Sequence, residues 1–332
     1  MSALLQASDL TKAYRLKSAP FARPAYHLAV NAVELALEPR ERLGVVGESG
    51  SGKSTLGRLL LGLTAPTRGE VLFEGQSHAR RKPGDWTRFR MRSSLVQQNP
   101  LSALNPQMTI GEQVAEAVQV HRLSNRAGAR DRAATMLEQV GLSSGMMNRF
   151  PHQMSGGQRQ RVVIARALIL DPRLVVFDEA VSALDVSVQA QVVALLRSLW
   201  RERDLAYVFI THDLRVVRHL VDRIAVMYLG RMVETGDIRS VYSAPRHPYT
   251  RALLASVPTL DPTIRNIAPP IRGELDPGRA RQGCAFRSRC PHAFERCERE
   301  VPAMRQLGSQ QVACHIAEQF NPAPTRQMEV AR

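Results

Sequence analysis

The first 283 of the 332 residues contain no cysteine; Cys284, Cys290, Cys297 and Cys314 all fall in the last fifth of the chain. That distribution excludes a disulfide framework running through the fold and points to a local site near the C-terminus. Lysine is scarce too: of 45 basic residues only Lys12, Lys17, Lys53 and Lys82 are lysines. With arginine as the default cation, the compact ammonium kept at Lys53 stands out. Long hydrophobic runs are missing. No stretch approaches the roughly 18 apolar residues that span a bilayer, and Met1 to Lys17 has no apolar signal-peptide core. A cytoplasmic protein that reaches a membrane only through a partner is expected. Aromatic residues are only 5%, too few for a base-stacking platform. The net charge of +15 is dispersed, and its longest basic run is Arg80-Arg81-Lys82. No nucleic-acid partner is expected.

What is present fits one large α/β domain with appendages. Leu4 to Leu37 carries short apolar stretches broken by Pro20 and Pro24, which predicts an antiparallel strand region with a loop. Arg42 to Val46 reads as a buried strand that runs into a glycine-rich turn, and Ser54 to Leu63 as an apolar helix. Between about Pro100 and Pro151, Ile110, Val114, Ala117 and Val118 recur at helical spacing, as do Ala133, Met136, Leu137 and Val140. A further helix after Gly157 runs through Val162, Ile164, Ala165 and Leu168 and stops at Asp171-Pro172. Leu174 to Phe177 and Tyr207 to Ile210 suit parallel strands buried on both faces. The expected organisation is an α/β core from residues 1–99 and 156–240, a helical subdomain over 100–155, and a C-terminal extension over 241–332.

Gly47-Glu48-Ser49-Gly50-Ser51-Gly52-Lys53-Ser54 fits G-x-x-x-x-G-K-[ST] between a predicted strand and a predicted helix. In such a loop backbone N–H groups from Gly47 to Thr55 converge on phosphates, Lys53 reaches the terminal ones, and the Ser54 hydroxyl binds Mg²⁺. Leu174 to Phe177 then delivers Asp178 to the Mg²⁺ shell and Glu179 one residue beyond, where a carboxylate can polarise water for attack on the γ-phosphate. Ser155-Gly156-Gly157-Gln158 opens a helix and makes a second anion-binding start. With the phosphates already cradled at residues 47–55, this second site makes sense if it serves another molecule's ATP. A plain serine N-cap is the alternative.

These motifs together resemble the ATP-binding-cassette (ABC) ATPases, with Ser155 to Gln158 matching their signature; the likeness covers roughly Leu4 to Gly236. The family implies an antiparallel β subdomain and a helical subdomain attached to a P-loop NTPase core. It also implies that Tyr14 stacks on adenine and that Gln98 senses the γ-phosphate beside Mg²⁺ and links to a transmembrane partner. Ser182-Ala183-Leu184-Asp185 would cross a dimer interface, and His212, in Thr211-His212-Asp213, would be the switch histidine. Catalysis would fall to Glu179, His212 and Gln98. Two departures stand out: Ala180 replaces a usual proline, and Gln97-Gln98-Asn99 replaces phenylalanine-glutamine-aspartate. Neither removes a reacting group.

Phe150-Pro151-His152-Gln153, His247-Pro248-Tyr249-Thr250 and Gly283 to Pro291 further resemble the oligopeptide/dipeptide importers, in particular the second of their two ATPase chains. The resemblance implies a paired ATPase subunit, two transmembrane permeases and a periplasmic or lipid-anchored peptide-binding protein, at the cytoplasmic face of the inner membrane. Import of nickel or another small solute, and a soluble ABC ATPase acting on nucleic acid or ribosomes, are the alternatives. The cysteines are spaced C-x5-C-x6-C-x16-C. A reducing compartment disfavours disulfides, and the close pairs usual for zinc are absent. Four thiolates on irregular loops can hold a [4Fe–4S] cluster, which members of the resembled subfamily carry; zinc and unligated thiols follow in that order.

Overall fold

The computed structural model describes residues 3–16, 26–182, 184–256 and 282–320. The loop expected around Pro20 and Pro24, and Ala183 of the expected interface loop, lie outside them. Leu5–Arg15 (β1) and Tyr26–Leu37 (β2) pair antiparallel, with Leu5 opposite Leu37 and Tyr14 opposite His27. Arg42–Val46 (β3) leads through the glycine-rich turn into Lys53–Leu60 (α1). Arg68–Phe73 (β4) returns beside β1, and Gln76–Ser77 (β5) completes a four-stranded antiparallel sheet in the order β2-β1-β4-β5.

Pro83–Arg92 (α2) precedes Ser93–Val96 (β6). The next stretch is helical: Pro100–Ala103 (α3), Ile110–Val120 (α4), Arg126–Gln139 (α5) and Gly156–Leu168 (α6). Thr109 and Glu112 form a reciprocal capping box at the start of α4, which satisfies two otherwise orphaned N–H groups. Ile110, Val114 and Val118 of α4 and Ala133 and Leu137 of α5 are wholly buried in one core with Val162 and Ile164 of α6.

Leu174–Asp178 (β7), Val186–Glu202 (α7), Ala206–Thr211 (β8), Leu214–Val217 (α8) and Arg223–Tyr228 (β9) follow. Five parallel strands lie in the order β9-β3-β8-β7-β6. Successive residues of a strand point to opposite faces, and here both faces are covered. Val176, Val208 and Ile210 pack on one side with Leu56, Leu59 and Leu60 of α1 and with the antiparallel sheet. Val175, Phe177, Tyr207 and Phe209 pack on the other with the helical segment and α7. Burial on both sides accounts for the unbroken apolar runs.

Arg231–Asp237 (β10) pairs antiparallel with β9, and Ile238–Ser243 (α9) and Pro248–Ala255 (α10) follow. After Glu295–Arg299 (α11), the short hairpin of Arg305–Leu307 (β11) and Gln310–Val312 (β12) joins the edge of β10, with Glu234 opposite Val312. The cysteine-bearing segment thereby extends the main sheet to eight strands.

Candidate nucleotide-binding site

The loop after β3 is shaped by backbone crowding. A Cβ on Gly47 would lie 2.2 Å from the Met227 carbonyl oxygen, and one on Gly52, at φ +105°, would lie 1.9 Å from that of Ala29. Only glycine fits at either position. Lys53 is buried, and its Nζ donates to the carbonyl oxygens of Gly47 and Glu48, each at 2.8 Å. Burial lowers its pKa, opposed by the carboxylates of Glu179, Asp178 and Glu48. The Ser54 hydroxyl donates to Asp178 Oδ1 at 2.7 Å, and burial raises the Asp178 pKa against that bond. A hydroxyl from the helix start and a carboxylate from the end of β7 thus meet, the oxygen pair a hard divalent cation takes.

Glu179 follows at φ +51°, with its N–H donating to the Ile210 carbonyl at 2.9 Å and its own carbonyl accepting the Ser182 hydroxyl at 2.9 Å. Its largely buried carboxylate accepts Gln98 Nε2 at 3.0 Å through Oε2, which also lies 3.3 Å from His212 Nδ1. Gln98, Glu179 and His212 follow the ends of the adjacent parallel strands β6, β7 and β8. The carboxyl edge of such a sheet is where α/β folds place ligands.

Other expected residues stand apart. Tyr14, near the end of β1, is 40% exposed, with the Lys12 ammonium 5.3 Å from its ring centroid. Ser155 caps α6: its Oγ accepts from Gln158 N at 3.3 Å, while its own N–H donates to Gln158 Oε1 at 3.0 Å. Gly156 and Gly157 are the first helical residues, and a Cβ on Gly157 would lie 2.4 Å from Val188 Cγ1 of α7. Asp185 occupies the N-cap position of α7, exposed and without a capping bond from its side chain. Among the described residues no hydrogen bond joins the Ser155 helix start to the phosphate loop.

Comparison with known proteins decides the family. Residues 30–182 match the ABC transporter family, and residues 233–297 match the C-terminal region of oligopeptide/dipeptide transporters. The di/tripeptide transport ATP-binding protein DppF of Pseudomonas aeruginosa is 46% identical over 96% of this chain and 99% of its own length. This chain belongs to the ABC transporter ATPases. The oligopeptide transport ATP-binding protein OppF of Escherichia coli is 46% identical over 94% of this chain and 95% of its own. Among solved structures, the dimeric ATP-binding cassette MJ0796, in a post-hydrolysis state with ADP and Pi, is similar with a TM-score of 0.63. It is 28% identical, over 71% of this chain and 99% of that one.

In this ABC ATPase the C-terminal segment packs against the phosphate loop, a juxtaposition the sequence motifs did not predict. Tyr249, from the His247-Pro248-Tyr249 stretch, accepts the Glu48 N–H on its hydroxyl at 2.8 Å. Arg289, one residue before Cys290, donates from Nη1 to Glu48 Oε2 at 2.8 Å and from Nη2 to Oε1 at 3.1 Å. All four cysteines are free thiols. Burial pushes the Cys290 and Cys314 thiols up to about 11, with Cys314 also feeling Cys284, Cys290 and Cys297 electrostatically. Backbone N–H groups of Phe286, His292 and Ile316 face Cys284, Cys290 and Cys314. Among the described residues no three His, Cys, Asp or Glu side chains are grouped to hold a metal ion, and no helix is long and apolar enough to cross a membrane.

Proposed function

We propose that this chain is the ATP-hydrolysing subunit that powers import of dipeptides or oligopeptides across the bacterial inner membrane, acting at its cytoplasmic face. The carrying observation is the meeting of Gln98, Glu179 and His212 beside the Lys53 loop and the Ser54–Asp178 pair. In this reading the phosphates of ATP lie along residues 47–55, and Lys53 moves from the loop carbonyls to the terminal phosphates. Ser54 and Asp178, with Gln98 alongside, would hold Mg²⁺, which would supply positive charge to the phosphates. Glu179 takes a proton from the attacking water, His212 donates to the γ-phosphate, and Tyr14 stacks on adenine.

Ser155, Gly156, Gly157, Gln158 and Asp185 serve the nucleotide of a paired ATPase subunit across a heterodimer interface. The cleft beside Gln97, lined by Ala103, Glu116, Val120 and Arg166, receives one of the two permeases, the paired ATPase subunit receiving the other; exposed Leu101 and Val120 support that docking. A peptide-binding protein delivers cargo from outside, as expected of a system whose relatives are named for di- and tripeptides. Residues 1–99 and 156–240 form the nucleotide-binding unit, 100–155 the signature unit and 241–332 the importer-type extension. In that extension Cys284, Cys290, Cys297 and Cys314 would hold a [4Fe–4S] cluster. The confinement of all four thiols to one segment and the backbone N–H groups facing three of the sulfurs support it, since such a cluster takes four cysteine thiolates and hydrogen bonds to its sulfurs tune its potential.

The experiment is purification of the complex from membranes under anaerobic conditions, then reconstitution with its binding protein. Expected are ATP-dependent uptake of short peptides and about four iron and four sulfide per chain. Uptake of nickel without peptide uptake would overturn the cargo, and stoichiometric zinc without iron would overturn the cluster.

A further inference from the structure

The second residue of the phosphate loop is an acid, Glu48. A carboxylate at the rim of a loop that must receive a polyphosphate opposes binding, because like charges at close range repel even through a partly aqueous medium. Here that carboxylate does not stand alone. Arg289 reaches it across 241 positions of sequence and grips both oxygens, and the Arg289 side chain is only 8% exposed. A fork-to-fork pair of this kind fixes direction as well as charge.

The arginine is in turn held by its surroundings. Its guanidinium lies 5.9 Å from the Tyr228 ring centroid, and Nη1 is 3.5 Å from the Tyr228 hydroxyl. Phe286, three residues earlier and 2% exposed, packs edge-on against Tyr228 at 5.2 Å and lies against Tyr249 at 5.4 Å. Tyr249 holds the Glu48 backbone N–H through its hydroxyl. Both the backbone and the side chain of one phosphate-loop residue are therefore gripped from the segment that carries the cysteines and from the helix before it.

We propose that Arg289 is a positioning residue of the phosphate loop: by neutralising and orienting Glu48 it lets the loop accept the phosphates of ATP, so nucleotide affinity depends on the cysteine-bearing segment. The proposal rests on the reading of residues 47–55 as the ATP cradle. It differs from a packing role in one respect, since removing the carboxylate should relieve the loss of the arginine.

The test is titration of the full-length chain, paired with its partner subunits, with a fluorescent ATP analogue. Folding of each variant is checked by circular dichroism and thermal melting. Arg289→Ala should weaken nucleotide binding by about five- to tenfold, a span usual for coupled contacts. Arg289→Lys, which keeps the charge without the fork, should lose less. Adding Glu48→Gln to Arg289→Ala should restore affinity to within about twofold of wild type. Wild-type binding by folded Arg289→Ala overturns the proposal, as does equal loss in the Ala and Lys variants or failure of Glu48→Gln to restore binding. Lys53→Ala is the separate control: undiminished binding there would overturn the nucleotide-site reading itself.

Discussion

Glu179 is held in a backbone conformation its residue type disfavours. A left-handed φ at a non-glycine residue costs on the order of 1–3 kcal/mol and persists only where the surroundings impose it. Here the imposing contacts are its N–H on the Ile210 carbonyl, the Ser182 hydroxyl on its own carbonyl, and the burial of Ala180 and Val181 just after it. The turn aims the carboxylate at Gln98 and His212. Replacing Glu179 by glutamine keeps shape and hydrogen bonding but removes the proposed base. Turnover by the assembled complex should then fall about 10²- to 10⁴-fold while ATP binding persists. Lys53→Ala should lose binding itself. Single-turnover hydrolysis and equilibrium binding separate the two outcomes, and an unimpaired turnover rate in Glu179→Gln would remove the role given to Glu179.

At the scale of elements, the parallel strands and the helical stretch were legible because their apolar periods are local. Burial on both faces leaves no polar alternation, and the runs at Leu174 to Phe177 and Tyr207 to Ile210 sit in the sheet as expected. The hairpin of β11 and β12 was not legible. Its strands are three residues each, and β12 pairs with β10 from far along the chain, so pairing rests on tertiary contact and not on local pattern. Between β10 and α10 lies a histidine with a measurable consequence. His247 is buried at the start of α10, where its Nδ1 accepts the Tyr249 N–H at 3.0 Å. Burial pushes its pKa down from 6.5 to about 3. Its backbone N–H and that of Arg246 donate to the buried Glu234 carboxylate, whose pKa burial raises. The unfolded chain therefore binds a proton below pH 6.5 that the folded chain refuses, and the His247 contribution is intact above that pH and lost as pH falls toward 3. His247→Asn keeps a capping oxygen and removes the titration. Relative to that variant, wild type should lose about 2 kcal/mol between about pH 7.5 and pH 5. Denaturant melts at the two pH values measure it, and parallel losses in both proteins would show that His247 is not the group responsible.

At the scale of the whole molecule, the glycine-rich turn between β3 and α1 and the meeting of Ser54 with Asp178 were readable because their motifs are contiguous or end a strand. The grip of Arg289 on Glu48 was not, since nothing in either short stretch names a partner 241 positions away. The Ser155 helix start raises the opposite problem. Within one chain it makes a complete capping box and no bond to that chain's own phosphate loop among the described residues. If it were only a cap, replacing Ser155 would cost about 1 kcal/mol of stability and weaken this chain's own site at least as much as its partner's. If it serves the facing subunit, Ser155→Arg places a bulky cation in the partner's site and leaves its own phosphate loop untouched. Photolabelling the assembled complex with an azido-ATP analogue reads the two sites separately, because each label stays on the chain whose phosphate loop holds it. Ser155→Arg should therefore abolish labelling of the partner chain and preserve its own. Labelling lost equally from both chains, or from this chain alone, would return Ser155 to the role of a helix cap.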